Sequence, residues 1–450
     1  MGSEIFDLLD GFDSAALGAG IHDFAARAFP ICRSITGDGV RRTLALLREV
    51  VPQLEQREVA TGTPAFDWQV PREWNVTRAF IEAPDGRRLA DFAESNLHLL
   101  QYSVPIDARL PLAELRPHLY SLPARPRAIP YRTSYFKENW GFCLPHEQLE
   151  ALPEGEYRVL IESRLEEGHL TYGEVILPGE LDETVLFSAH ICHPSLANDN
   201  LSALGVLAQL AALLAGLPRR RYTYRFVFAP GTIGAITWLA QNEAAARRIR
   251  HGLVAANLGD GGRFHYKKSR RGEATIDRAV AVVLRDAGEG HEIEDFVPFG
   301  YDERQYNSPG FALDVGSLTR TPWGRYPEYH SSDDNLELIR PEHLALSLRR
   351  YLEVVALLEA NRTYLNLNPC CEPQLGRRGL YQHIGGRDDG REFELALLWV
   401  LNLSDGDHDL LAIAERSRAP FRRLAEAAAA LLEVGLLREH FPAATASGLR

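Results

Sequence analysis

Cysteine is scarce in this chain. Cys32, Cys143, Cys192, Cys370 and Cys371 are odd in number and irregularly spaced, which argues against a disulfide framework. Long apolar runs are missing as well. No window reaches the roughly 18 consecutive apolar residues of a membrane-crossing helix, and the opening MGSEIFDLLDGFDSAALGAG lacks the basic stretch and apolar run of an export signal. The expectation is therefore a cytoplasmic protein with no membrane partner. Positive charge is in deficit: 49 Lys and Arg against 61 Asp and Glu leave a net charge of −12, so no general attraction draws nucleic acid to the surface. What is present is ordinary globular material, 45% hydrophobic and 24% charged over 450 residues. That length exceeds what one core usually holds, so two or three domains are expected.

The densest chemistry lies in residues 186–201, LFSAHICHPSLANDNL. Residues 184–190 read as a buried strand ending in His190, and residues 201–214 as an apolar helix. His190, Cys192, His193 and Asp199 fall on the short connection between them. In an open α/β sheet this is the crevice where ligands sit. Taken singly, each residue has an ordinary reading: a histidine bonded at a strand end, an aspartate capping a helix, a thiol buried and inert. A second polar group follows at residues 329–339, YHSSDDNLELI, where His330 precedes an Asp-Asp-Asn sequence that reads as another helix opening. Imidazole and carboxylate together suit zinc.

A histidine at a strand end, an Asn-Asp-Asn turn into a helix, an aspartate after a later strand and a late His-Ser-Ser-Asp-Asp resemble the zinc aminopeptidases of the bacterial leucyl aminopeptidase and glutamate carboxypeptidase type. More closely, ICRSITGDGVR (31–41), HICHPSLANDNLS (190–202), YKKSRRG (266–272) and GYDERQYNSPGF (300–311) resemble a bacterial aminopeptidase-like family often encoded beside polysaccharide or secondary-metabolite biosynthesis genes. The resemblance implies a metal set of His190, Asp199, Asp260 and His330; His193 has no certain counterpart there and is read, from its six-residue separation to Asp199, as a further ligand or a supporting partner. It also implies a β-rich, jelly-roll-like insert, a C-terminal winged helix and a small peptide or aminoacyl amide substrate.

Taken in order, residues 16–29 and 39–49 have helical spacing around the polar turn 32–38, in which Arg33, Ser34 and Thr36 either cap a helix or reach a ligand. From residue 66 the texture changes to short alternating segments, many prolines and aromatics such as Trp68, Trp74 and Trp140, the pattern of a separate β-domain. Residues 157–163 and 169–178 alternate like a hairpin. Segments 184–189, 224–229, 252–258, 279–284 and 313–318 read as strands separated by helical windows, and 341–361 as a long closing helix. The fold class is thus α/β, a doubly wound mixed sheet formed by residues 1–65 and 151–368. Residues 66–150 form the inserted β-domain and 369–450 the winged-helix-like domain, whose three helical windows span 393–401, 409–417 and 420–433. In the last windows Arg416, Arg418, Arg422 and Arg423 are interleaved with Glu415, Glu426 and Glu433. No basic stripe results, and packing or homo-oligomerisation is expected of this module rather than binding to nucleic acid.

One position departs from the family pattern. In FVFAPGTIGAI (226–236) the resembling sequences carry a glutamate where Gly231 stands, at the place of the general base and of a second metal's carboxylate. A glycine can do neither job, and general-base help is worth about 10² to 10⁴ in rate. One zinc ion rather than two is therefore expected. Asp302 or Glu303 is the candidate substitute base, unless the chain is a non-catalytic metal-binding relative. A winged-helix DNA-binding regulator is the remaining alternative. Asp302, Glu303, Arg304 and Gln305 are also the candidate contacts to a substrate ammonium or carboxylate, with Arg320, Thr321 and Tyr329 beside them. YKKSRRG reads as a solvated turn or an anion contact.

Overall fold

The computed structural model describes residues 3–380 and 388–441. The chain divides into two compact units, one of residues 13–276 and 290–349, the other of the described residues within 1–12, 277–289 and 350–450.

The first unit is built on an eight-stranded mixed sheet. Its order is Glu55–Ala60, His169–Leu177, Tyr222–Ala229, Leu181–His190, Ile249–Ala256, Val315–Thr319, Phe264–Lys267 and His291–Glu294. The four central strands are mutually parallel, and their C-terminal halves are buried without a break. That is the apolar run expected of strands covered on both faces. Helix Ala203–Ala215 is buried round most of its circumference. A Cβ at Gly205 would come within 2.8 Å of Ile21, so glycine there lets this helix lie close against helix Ser14–Ala28. Parallel register aligns the strand ends, placing His190 opposite Ala229.

Residues 66–150 contribute to an antiparallel four-stranded sheet in the order Arg88–Asp91, Glu73–Glu82, Glu156–Glu166 and Ile106–Pro111. Here two sequence expectations fail. Strands Glu156–Glu166 and His169–Leu177 are not a hairpin: the first lies between two strands of the small sheet, and the second between Glu55–Ala60 and Tyr222–Ala229 of the large one. Each finds two flanking partners elsewhere, which outweighs the short connection between them. Residues 279–284 are not a strand but lie within helix Thr275–Ala287. Ile276, Ala279, Val280 and Val283 are buried at helical spacing, and the valines that suggested a strand satisfy that face equally well.

In the second unit, helices Asp388–Leu403, Leu410–Ser417 and Phe421–Glu433 accompany a three-stranded sheet in the order Asp405–Asp409, Thr363–Asn366, Leu437–His440. Arg422 donates to both oxygens of Asp10 at 2.6 Å and to Glu426 at 3.0 Å, while Arg423 donates to Glu426 at 3.1 Å. Two of the cations on this last helix are thus already neutralised within the unit. No described helix is long and apolar enough to cross a membrane.

The small sheet is tied to the large one through Glu73. Its carboxylate takes two hydrogen bonds from Arg41 at 2.6 and 2.9 Å and one from the His169 backbone N–H at 2.8 Å. The Arg41 bonds, chiefly, hold its pKa down to about 2 from 4.5. A depressed folded-state pKa stabilises the fold above the unfolded value, and the gain fades as pH falls toward the folded value. Glu73→Gln should therefore cost roughly 1–3 kcal/mol at pH 7, with the gap to the unsubstituted chain closing between pH 4.5 and about 2. Urea unfolding across that range measures it.

Candidate metal centre

His190 closes strand Leu181–His190. The chain then loops through Cys192 and His193 into the turn Ala197–Ser202, where Asp199 and Asn200 leave helical geometry before helix Ala203–Ala215 begins. This turn is fastened on several sides. The Asn200 amide lies 3.3 Å from the carbonyls of His190 and Ala255, bonding it to the ends of two adjacent strands. Asp334 accepts from the backbone N–H groups of Asn198 at 2.6 Å and Asp199 at 3.0 Å.

The outcome is a carboxylate shared by two imidazoles. His190 Nε2 lies 2.7 Å from Asp199 Oδ1, and His330 Nε2 lies 3.0 Å from Asp199 Oδ2. His193 Nε2 is 3.8 Å from Oδ2. Potential ligand atoms of His190, His193 and Asp199 all fall within 4.8 Å of one another, the one such metal-sized group among the described residues. Asp199 is only 1% exposed. Burial alone would raise its carboxyl, yet the charge of His190 and the bonds from His190 and His330 outweigh it and hold Asp199 well below the ordinary range. Burial drives His193 the other way, well below 6.5, toward the neutral imidazole. The Asp199 carboxylate and a neutral His193 are in the form a divalent ion takes; His190 lies above 6.5 because Asp199 outweighs its burial, so an ion bound there would displace a proton. The nitrogen and oxygen donors fit zinc.

Other candidate residues are placed differently. Asp260 was expected as a ligand, but its Oδ1 accepts from Gly262 N at 2.6 Å and Thr321 Oγ1 at 2.7 Å, and its Oδ2 from Asn198 Nδ2 at 2.8 Å. Thus engaged, it braces the Asn198 turn. Glu303 is fully buried and ion-paired with Lys267, so one motif cation is spent on the other motif's acid. Lys268 and Arg271 pair with Asp295 and Asp314. Asp302 remains. Its Oδ1 accepts from Thr232 N at 2.7 Å, and burial pushes its pKa up to about 6. Arg304 reaches Thr232 Oγ1 at 3.2 Å. Gln305 borders a hollow of about 430 Å³ with Phe66, Trp68 and Phe311. Arg320 is buried on Gly262 O and Ser347 Oγ, a packing role. Tyr329 stacks on His330 at 3.9 Å.

Two residues of the polar turn 32–38 are likewise engaged internally. Arg33 donates to the carbonyls of His193 and Ala28, and Thr36 Oγ1 shares a hydrogen bond with Tyr102. Burial pushes the Cys192 thiol up to about 12, which keeps it protonated and inert. At Gly231 a Cβ would meet nothing closer than Cys192 Sγ at 3.5 Å and His190 Cβ at 3.6 Å. The position therefore has room for a side chain beginning beside His190. Sequence reading missed Asp334 as a site residue because residues 333–335 looked like a helix opening. No helix begins there; the next is Pro341–Ala360, and the Asp334 carboxylate turns to the Asp199 backbone instead.

Comparison with known proteins agrees with this architecture. Residues 22–361 match the model of a family described as a domain of unknown function, DUF4910, and residues 362–439 match a winged helix-turn-helix model. A Clostridium acetobutylicum protein that carries the provisional name of a polysaccharide biosynthesis protein with an aminopeptidase-like domain is 48% identical over 426 residues, 95% of this chain and 98% of the relative. A crystal structure from the same species, provisionally called a peptidase, superposes with a TM-score of 0.92 at 46% identity, covering 98% of this chain and 100% of that one. BSAP, a zinc aminopeptidase from Bacillus subtilis, shares the fold with a TM-score of 0.57 at 13% identity, over 76% of this chain and 94% of its own. On the extent of the family match and of the 48% identical relative, the chain belongs to the DUF4910 family, on an aminopeptidase-like fold followed by a winged helix.

Proposed function

We propose that the chain is a zinc-dependent, aminopeptidase-like hydrolase that cleaves an amide bond adjacent to a free amino group in a biosynthetic pathway. The observation that carries this reading is the convergence of His190, His193 and His330 on the buried Asp199 carboxylate. His190, Asp199 and His330 would hold one ion, with His193 beside them. Bound there, zinc would polarise the amide carbonyl and ease deprotonation of the attacking water.

The protein's own groups supply the rest. Asp199 places negative charge between the histidines, and Asp334 and Asp260 fix the turn that carries it. Gly231 cannot move a proton, and Glu303 is committed to Lys267. Asp302 sits against Thr232, the residue after Gly231, and its raised pKa suits a group that takes and returns a proton near neutrality. We assign it the general-base role. Residues 22–361 would be the catalytic core, carrying the small sheet of 66–166 as its insert, and 362–439 a packing or self-association module. The relative's name supports the biosynthetic setting. The second reading, a non-catalytic metal-binding protein, is favoured by Gly231 alone.

Three outcomes are expected. In calorimetric titration the full chain should take up about one equivalent of zinc, and His190→Ala and His330→Ala should each abolish high-affinity uptake. Against a panel of aminoacyl p-nitroanilides, Asp302→Asn should lower kcat by about 10² to 10⁴ with zinc uptake retained. Activity in Gly231→Glu alone, with none in the unsubstituted chain, would instead establish the non-catalytic reading. A duplex DNA should show no retardation at low salt, since Arg422 and Arg423 are already paired.

A further inference from the structure

His330 sits at φ +54°, a backbone conformation that a side-chain-bearing residue adopts at a cost of about 1 kcal/mol or more unless its surroundings impose it. The surroundings here come from the region 66–150. Tyr131 N–H donates to His330 O at 2.8 Å, Ser332 N–H donates to Ile129 O at 2.9 Å, and Ile129 N–H donates to Ser332 Oγ at 3.0 Å. Pro130 and Ser331 form an antiparallel bridge at the centre of this exchange. Arg125 adds an ion pair to Asp333. The Tyr131 ring then stands edge-on to His330, with centroids 4.9 Å apart, and tilted against His193 at 5.1 Å. Its hydroxyl shares a hydrogen bond with Tyr135 at 2.5 Å, which fixes the ring from its far end.

We propose that Tyr131 is a positioning residue of the metal centre: the inserted region builds the His330 half of the site and fixes the orientation of two imidazoles through one aromatic ring. The region 66–150 is on this account a part of the centre and not an appendage to it. A main-chain clamp sets where His330 begins, and the ring sets where its imidazole and that of His193 can turn. Restricting both rotors before an ion arrives lowers the ordering cost of binding it. Partners that orient metal-binding histidines are typically worth 10- to 100-fold in affinity.

The proposal rests on the metal-binding reading above, and its test separates the two. Zinc affinity of the full chain is measured by competition with a chromophoric chelator, together with amide hydrogen exchange over residues 328–334. Tyr131→Ala should weaken zinc binding by about 10- to 100-fold and speed exchange in that segment. Tyr131→Phe, which keeps the ring and the backbone donor but loses the bond to Tyr135, should weaken zinc binding less than Tyr131→Ala does. If Tyr131→Ala fails to fold, Tyr131→Leu retains apolar bulk without the ring face and should weaken zinc in the same direction. Unaltered affinity and exchange in the folded Ala or Leu variant would overturn the positioning role while leaving the metal reading intact. No zinc uptake by the unsubstituted chain would overturn both.

Discussion

The structure turns on one buried carboxylate. Asp199 carries negative charge at 1% exposure, and an isolated ion in such a place costs several kcal/mol. Two imidazoles answer that cost, His190 from the end of a central strand and His330 from a loop 131 residues beyond Asp199. Everything else in the neighbourhood keeps that meeting in register. Parallel strands bring their C-terminal ends into line, Asn200 bonds the turn to two of them, and Asp334 holds the backbone on either side of Asn198.

The same constraint gives meaning to residues that have no direct chemistry. Asp260 and Asp334 are buried acids that bond to the turn: Asp260 to the Asn198 side chain, Asp334 to the backbone of Asn198 and Asp199. Arg33 extends the brace from beneath, holding the His193 carbonyl. The region 66–150 closes the arrangement from above through Tyr131. Against this dense support Gly231 stands out as a place where a side chain is missing and space remains. Asp302, on a neighbouring loop, bonds the backbone of Thr232 beside that space.

What could be read from the sequence was mostly local. Residues 184–189 and 224–229 read as strands because they are mostly apolar, and 16–29 and 39–49 as helices by their spacing; the observed elements Leu181–His190, Tyr222–Ala229, Ser14–Ala28 and Asp38–Val50 lie within a few residues of these. The fold class followed from that alternation. Failures came where a local pattern had two solutions. The valines of residues 279–284 fit a strand or a helix face, and residues 157–178 fit a hairpin until strand partners from elsewhere in the chain are known. Pairings across long sequence distances left no local trace: Lys267 with Glu303, Asp260 with Thr321, Asp334 with the backbone of Asn198 and Asp199. The motif resemblance named His190, Asp199, Asp260 and His330, of which the two histidines meet at Asp199 while Asp260 bonds the neighbouring Asn198. The meeting at Asp199 depends on the aligned strand ends and on the pairing of residues 129–131 with the His330 loop, which no single segment encodes.

The central claim, that these distant imidazoles and Asp199 grip one divalent ion, is tested most directly by anomalous diffraction at the zinc absorption edge from crystals of the unsubstituted chain grown with zinc. The account predicts a single strong peak flanked by His190, Asp199 and His330. A peak located elsewhere, or none with the ion in excess, would contradict it.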